Sequence, residues 1–309
     1  MDIRITEVGL RDGIQSESRV LPTETKIRLI DAAVAAGVRS IEATSFVAPQ
    51  AVPQLADAED VVAGIRRLPG LEVCALAPNS RGMHRAVRAG VDAVLVFLSA
   101  SESHNRKNLN RSVAESVRGI EDICEIASAH GIEVKGAIAT SFGCPFEGDV
   151  DVRQVVDIAR AFGRAGVHRI TLGDTTGMAT PGIVRRVCGE LKSALPDLRI
   201  ALHFHNTRGL AMVNVAEGLA LGIAEFESSL GGTGGCPFAP GATGNISSED
   251  LVHYLHESGH DTGIDLEALC AVARDLEAVL GHPLPGQVMR SGPRNRVYPL
   301  DSVRTAAAA

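Results

Sequence analysis

Hydrophobic and polar positions alternate along this chain in two rhythms. Residues 3–8 (Ile-Arg-Ile-Thr-Glu-Val) switch with period two, as a strand does. Residues 22–36 carry Ile27, Leu29, Ile30, Ala33 and Val34 as a stripe at helical spacing. Pro22 sits near the start of that helix, and Thr23 is its predicted cap. The pair then repeats. Strands are predicted at 39–44, 71–77, 92–98, 133–140, 168–173, 199–205 and 224–230. Helices are predicted at 54–67, 80–89, 112–130, 151–165, 181–194 and 208–221. Many helices end alike: Ala36-Gly37, Ala89-Gly90, His130-Gly131, Ala165-Gly166 and Leu221-Gly222. Glycine accepts the left-handed residue that stops a helix.

Eight strands alternating with helices predict parallel β/α units. An open doubly wound sheet has the same cadence, but it gathers its ligands at one switch point. Here polar residues recur where successive strands end: Arg11 and Asp12, Glu42 and Ser45, Asn79, Ser99, Thr140 and Ser141, Thr171 and Asp174, His203 and His205. Ligands from every strand suit a ring, so the expected fold is a TIM (β/α)8 barrel with a C-terminal helical extension. Past the last strand, 231–245 is glycine-rich. Ser247 and Asp250 are spaced as a capping box for a helix at 248–257, and another helix is expected at 265–280. The expected organisation is one barrel domain with its C-terminal helices over 1–285 and a peripheral tail over 286–309.

Composition narrows the class. The net charge is −7, Trp is absent and there are two Tyr, which argues against a nucleic-acid binder. Cys74, Cys124, Cys144, Cys188, Cys236 and Cys270 form no C-x-x-C pair, so neither a zinc framework nor a disulfide scaffold is expected. Asp2, Arg4 and Glu7 interrupt any signal peptide, and no apolar run is long enough to span a bilayer. A reduced cytoplasmic enzyme without membrane contact is the expectation.

The chemistry gathers on a few residues. His203 and His205 share one face of their predicted strand, about 7 Å apart at the Cα level. They could grip one cation if oxygen ligands lie nearby; the plainer reading is two partly buried histidines on a sheet face. Asp12 lies just past the first strand at the same mouth, or else caps a helix or turn. A carboxylate and two imidazoles leave open positions suited to Mg²⁺ or Mn²⁺. Asn245 could add an amide oxygen. Arg11 could stabilise an enolate or hold a carboxylate; a salt bridge to Glu42 or Glu7 is the structural alternative. Glu42 and Asp174 could hold Arg11 and order the metal shell, or be plain polar rim. Pro237 breaks any dinucleotide fingerprint in the glycine loop, which is expected to act as a lid carrying Cys236 as acid or base.

Taken together, Val8-Gly-Leu-Arg11-Asp12-Gly-Ile-Gln15, Ile41-Glu42-Ala-Thr-Ser45-Phe-Val, Leu172-Gly-Asp174-Thr175, His203-Phe-His205-Asn-Thr and Gly234-Gly-Cys236-Pro-Phe-Ala resemble the 3-hydroxy-3-methylglutaryl-CoA lyase family over roughly residues 5–282. The resemblance implies metal ligands at Asp12, His203, His205 and Asn245. It implies catalytic roles for Arg11, which stabilises the departing enolate, and for His203 and Cys236, which handle protons. It implies substrate contacts from Arg11, Gln15, Glu42, Ser45, Lys107, Asn108, Thr171, Asp174 and Thr175, the Lys107-Asn108 stretch meeting CoA. The implied reaction is a metal-dependent retro-Claisen cleavage of an acyl-CoA substrate to acetyl-CoA and acetoacetate by a homodimer, a step of leucine degradation and ketone body metabolism.

Thr233, Arg208 and Asn206 depart from the residues usual in the family and leave the acyl group open to citramalyl-CoA or a longer 3-hydroxy-3-alkylglutaryl-CoA. The rival readings are a condensing synthase and a non-catalytic barrel that binds CoA esters. Ile14 stands where synthases usually have Glu, and the chain has no room for their C-terminal regulatory region.

Overall fold

The computed structural model describes residues 2–235 and 244–299. Eight parallel strands close into a barrel in sequence order, β1 pairing with β8. Strand and helix alternate as β1 (Arg4–Glu7), α1 (Thr23–Ala35), β2 (Ser40–Ser45), α2 (Ala58–Gly64), β3 (Glu72–Leu76), α3 (Ser80–Ala89) and β4 (Ala93–Ser99). Two helices follow, α4 (Glu102–Leu109) and α5 (Val113–Ala129). The circuit is completed by β5 (Glu133–Ala139), α6 (Val152–Arg164), β6 (Arg169–Asp174), α7 (Pro181–Ala194), β7 (Arg199–Phe204), α8 (Ala211–Ala220) and β8 (Glu225–Ser228). Three helices close the described chain: α9 (Ser248–Glu257), α10 (Leu266–Leu280) and α11 (Val288–Ser291). Met289 of α11 is buried in the core that strands and helices share.

The barrel matches the expected fold, and Gly90 shows why the punctuation was legible. It ends α3 at φ 74°, where its N–H bonds back to Ala86 and Val87. Four local readings change. Helix α4 was not anticipated: ESHNRKNL is almost wholly polar, so it has no apolar stripe, and Ser101 caps it by accepting from the His104 N–H at 3.1 Å. Thr23 is not a cap, because Pro22 holds that position and the Thr23 hydroxyl donates to Asp57 at 2.7 Å. The predicted 54–67 helix shrinks to α2 behind a 3₁₀ turn, Pro53–Leu55. Half of the capping box forms: Ser247 Oγ accepts from the Asp250 N–H, but the Asp250 carboxylate turns to the N–H groups of Gln287 and Val288.

Alternate strand residues point into the barrel. At the N-terminal end they make a charged floor. Glu72 pairs with Arg4 at 2.8 Å, with Arg169 at 3.4 Å and with Lys135. Glu225 pairs with Arg169 and Arg199, both at 2.5 Å. The opposite end is the mouth.

Candidate active site and metal centre

Three local devices bring the mouth residues together. The first is the turn after β1. Val8 carbonyl accepts from the N–H groups of Arg11, Asp12 and Gly13, at 3.0, 2.8 and 3.3 Å. This wide π-type turn, Gly9–Gly13, leaves Arg11 and Asp12 lining the cavity. Gly13 is required there, since a Cβ would lie 2.3 Å from Thr233 Oγ1. The second device is the register of β7 against β8, which sets His203 opposite Glu227. The third is the return of the chain along the end of β7. Asn206 N–H donates to Gly244 and Ile246 N–H to Phe204, at 3.1 and 3.0 Å, so Asn245 lies beside His205.

The mouth is a web of buried charge. Arg11 makes a two-pronged pair with Glu42, Nε to Oε1 at 2.6 Å and Nη2 to Oε2 at 2.7 Å. Its Nη1 reaches Asp12 Oδ1 at 2.6 Å. The Gln15 amide donates to the same oxygen at 3.0 Å, and Asn245 Nδ2 donates to Asp12 Oδ2 at 2.9 Å. Burial opposes the charge on Arg11, but Glu42 and Asp12 outweigh it and hold the guanidinium ionised. Burial also opposes the Asp12 carboxylate; Arg11, His203 and His205 prevail and bring its pKa down to about 2. Burial and the neighbouring His203 push His205 down to about 4, so it is a neutral imidazole at neutral pH.

The residues present fit a divalent cation. Donor atoms of Asp12, His203 and His205 lie within 4.8 Å of one another. His203 Nε2 stands 4.0 Å from Asp12 Oδ2. Among the described residues no group donates to buried Asn245 Oδ1, although the amide is anchored through its nitrogen to Asp12 and, at 3.1 Å, to Thr233 carbonyl. A buried acceptor left bare is costly unless something meets it. Asp12, Glu42 and Glu227 set three carboxylates against the one guanidinium of Arg11.

The cavity above these groups is about 390 Å³. Its β6–β8 and β1 side is polar, with Arg11, Asp12, Gln15, Thr171, Thr175, His203, His205 and Glu227. Its other side is apolar, with Leu55, Leu76, Leu95, Phe97, Ala137 and Ala139.

The structure brings most of the expected residues to this cavity and sets others aside. Ser45 and Asn108 line it, whereas Lys107 is exposed and does not. Glu42 holds Arg11 as expected. Asp174 does not: its Oδ1 accepts from the N–H groups of Met178 and Ala179, at 2.7 and 3.0 Å, and burial raises its pKa to about 6. Thr171 and Thr175 are partnered, Thr171 donating to Glu227 Oε1 at 2.6 Å and Thr175 accepting from the Thr140 N–H at 2.9 Å. Arg208 donates to the carbonyls of Thr176 and Gly177 at 2.9 Å, strapping the loop after β7 to that after β6. Cys236 lies outside the described residues. Glu227 was missed by the sequence reading. Strand parity puts its side chain inside the barrel, but its pairing with His203 follows from the register of β7 against β8.

The family model described as HMGL-like matches residues 2–276. The chain belongs to this HMGL-like family. It is 44% identical over 279 residues to the 3-hydroxy-3-isohexenylglutaryl-CoA/hydroxy-methylglutaryl-CoA lyase of Pseudomonas aeruginosa, covering 90% of this chain and 93% of that protein. It is 42% identical over 285 residues to a hydroxymethylglutaryl-CoA lyase of Bacillus subtilis, covering 92% of this chain and 95% of that one. A solved HMG-CoA lyase from Acinetobacter baumannii, in complex with coenzyme A and 3-methylmalate, superposes with a TM-score of 0.92 at 43% identity, covering 97% of this chain and 98% of that one.

Proposed function

We propose that this protein is a divalent-cation-dependent carbon–carbon lyase that cleaves 3-hydroxy-3-methylglutaryl-CoA to acetyl-CoA and acetoacetate. The observation that carries the reading is the meeting of Asp12, His203 and His205 beside the charged Arg11 in one cavity, in a chain of the HMGL-like family. Asp12, His203, His205 and Asn245 would hold the cation. Bound there, Mg²⁺ or Mn²⁺ would polarise the substrate's tertiary hydroxyl and carboxylate and ease loss of the hydroxyl proton.

The residues then divide the work. As that proton passes to Cys236 in its thiolate form, the C2–C3 bond breaks, C3 becomes the ketone of acetoacetate and the electron pair enters the thioester as an enolate. Arg11 meets the enolate oxygen. Two of its N–H groups donate to Glu42 and Asp12 and its Nε lies against Glu42 Oε1 as an ion pair, which leaves one N–H on each terminal nitrogen for the substrate. Gln15 and Glu42 keep Asp12 and Arg11 in place. His203 has a single free lone pair, on Nε2, so it can ligate or take a proton but not both in one step. Protonation of the enolate at C2 gives acetyl-CoA, and Cys236 is the candidate donor.

A second substrate reading keeps this chemistry and lengthens the branch at C3. It is favoured by the apolar side of the cavity, where Ala137 and Ala139 leave room beside Leu95 and Phe97. The P. aeruginosa relative is named for such a substrate as well as for the methyl one.

The test is a coupled assay with Mg²⁺ and a chelator control, run on 3-hydroxy-3-methylglutaryl-CoA, an alkyl-lengthened analogue and citramalyl-CoA. Chelator-sensitive release of acetoacetate from the first supports the reading. Preference for either of the others keeps the mechanism and changes the substrate. Cation binding with no cleavage of any of them overturns the lyase in favour of a CoA-ester-binding barrel.

A further inference from the structure

His203 lies in a chain of side chains that runs across three strands. Its Nδ1 is 2.9 Å from Glu227 Oε2 on β8. The other oxygen of Glu227 accepts from the Thr171 hydroxyl on β6 at 2.6 Å. All three residues point into the barrel, and Glu227 is nine-tenths buried or more. A carboxylate accepts only, so the hydrogen on the 2.9 Å contact belongs to His203 Nδ1. A neutral imidazole protonated at Nδ1 has its lone pair on Nε2, and Nε2 is the nitrogen that faces Asp12. The register of β7 against β8 makes the contact, and Thr171 prevents Glu227 from rotating away.

We infer that Glu227 is a positioning residue for the cation centre: it fixes the tautomer and ring orientation of His203, and Thr171 fixes Glu227. The inference rests on the reading of Asp12, His203 and His205 as a cation site. It also changes the expectation for Thr171, which serves Glu227 rather than the substrate. Groups that orient a ligating histidine commonly shift metal affinity about 10–100-fold when removed. Isolated from Glu227, the imidazole would be free to move its proton to Nε2 and withdraw that lone pair.

Two measurements test this, on Glu227→Leu, Glu227→Gln and Thr171→Val. The first is Mn²⁺ binding to metal-stripped protein, followed by electron paramagnetic resonance. Glu227→Leu is expected to weaken Mn²⁺ at least 10-fold. Glu227→Gln, which keeps an acceptor oxygen, should stay within a few-fold of wild type, with Thr171→Val in between. The second is the imidazole ¹⁵N–¹H spectrum of the stripped protein at pH 9, with the His203 signals assigned by their loss in His203→Gln. Wild type should show the Nδ1–H form and Glu227→Leu the Nε2–H form.

Wild-type Mn²⁺ affinity in Glu227→Leu overturns the inference, and so does an unchanged His203 tautomer. Equal losses in Glu227→Leu and Glu227→Gln overturn it too, since charge rather than hydrogen bonding would then be at work. If Glu227→Leu does not fold, wild-type affinity in Thr171→Val overturns it. Wild-type protein that binds no Mn²⁺ instead defeats the cation reading, and the tautomer spectrum still decides the role of Glu227.

Discussion

The two ends of this barrel each carry a buried layer of charge, and they are built differently. At the floor, Glu72 and Glu225 are enclosed by Arg4, Lys135, Arg169 and Arg199. The cations are in excess there, and the surplus reaches water: the Arg4 and Arg199 side chains are 39% and 55% exposed. At the mouth the carboxylates are in excess and, among the described residues, nothing donates to Asn245 Oδ1. A layer whose carboxylates are all ion-paired to cations is neutralised as folded. One that sets carboxylates in excess around converging donors is suited to a cation. Charge at the N-terminal end of a TIM barrel serves stability, and charge at the C-terminal end serves chemistry.

The strongest way to break that contrast is at the mouth. Asp12→Ala should abolish measurable Mn²⁺ binding and cut kcat/KM by at least 10³-fold, about 4 kcal/mol of transition-state stabilisation. The thermal midpoint of the metal-free variant should fall less than that of a floor variant that strips a buried cation of its carboxylate, because Arg11 keeps its pair with Glu42 when the Asp12 carboxylate is lost. Titration calorimetry, a coupled assay and a melting curve read the three quantities. A large loss of stability in metal-free Asp12→Ala would make the mouth a structural layer like the floor.

The floor should answer in the opposite way. Glu72→Gln leaves the buried ammonium of Lys135 and guanidinium of Arg169 without their shared carboxylate. Breaking a buried pair by removing one partner costs about 3 kcal/mol or more. The cost should be near the low end, since the Glu72 side chain is 16% exposed. The melting temperature should fall by several degrees while kcat/KM and Mn²⁺ affinity of the folded protein hold. Loss of activity beyond the folded fraction would show that floor and mouth are coupled.

Much of this was legible in the sequence, for reasons specific to particular residues. The barrel was, because helix-ending glycines such as Gly90 and the strand rhythm are local signals. The His203–His205 pair was, because period-two alternation alone puts both on one face. Helix α4 was not, because its polar sequence hides the helical period and its start depends on the Ser101 cap. The partners of Asp174 were not: a carboxylate at a strand end reads alike whether it grips Arg11 or caps its own loop. Glu227 was passed over because its role needs β6, β7 and β8 in register, which no single stretch displays.

The smallest effect belongs to a third group, between floor and mouth in character. Glu7 and Glu249 are buried under the turn that follows β8. Glu7 accepts from the N–H groups of Gly9 and Leu230, at 2.7 and 2.9 Å, and Glu249 accepts from Gly231 N–H at 3.1 Å and from Ser247 Oγ. Burial raises the pKa of Glu7 to about 7 and that of Glu249 to about 8, Glu7 adding to the shift of Glu249. The folded chain therefore holds these protons more tightly than the unfolded chain, whose carboxyls titrate near 4.5. That contribution is complete below about 4.5 and is lost as pH rises through about 7 and 8. Glu249→Gln is neutral at every pH and keeps an acceptor for Gly231. Melting curves from pH 5 to pH 9 should show wild type losing stability more steeply than the variant as pH rises, and a parallel pH profile would mean that Glu249 is ionised throughout. Unlike the mouth, this pair needs no cation, because protonation relieves the repulsion. The two readouts therefore separate: added Mn²⁺ should stabilise wild type and Glu249→Gln alike and leave Asp12→Ala unmoved.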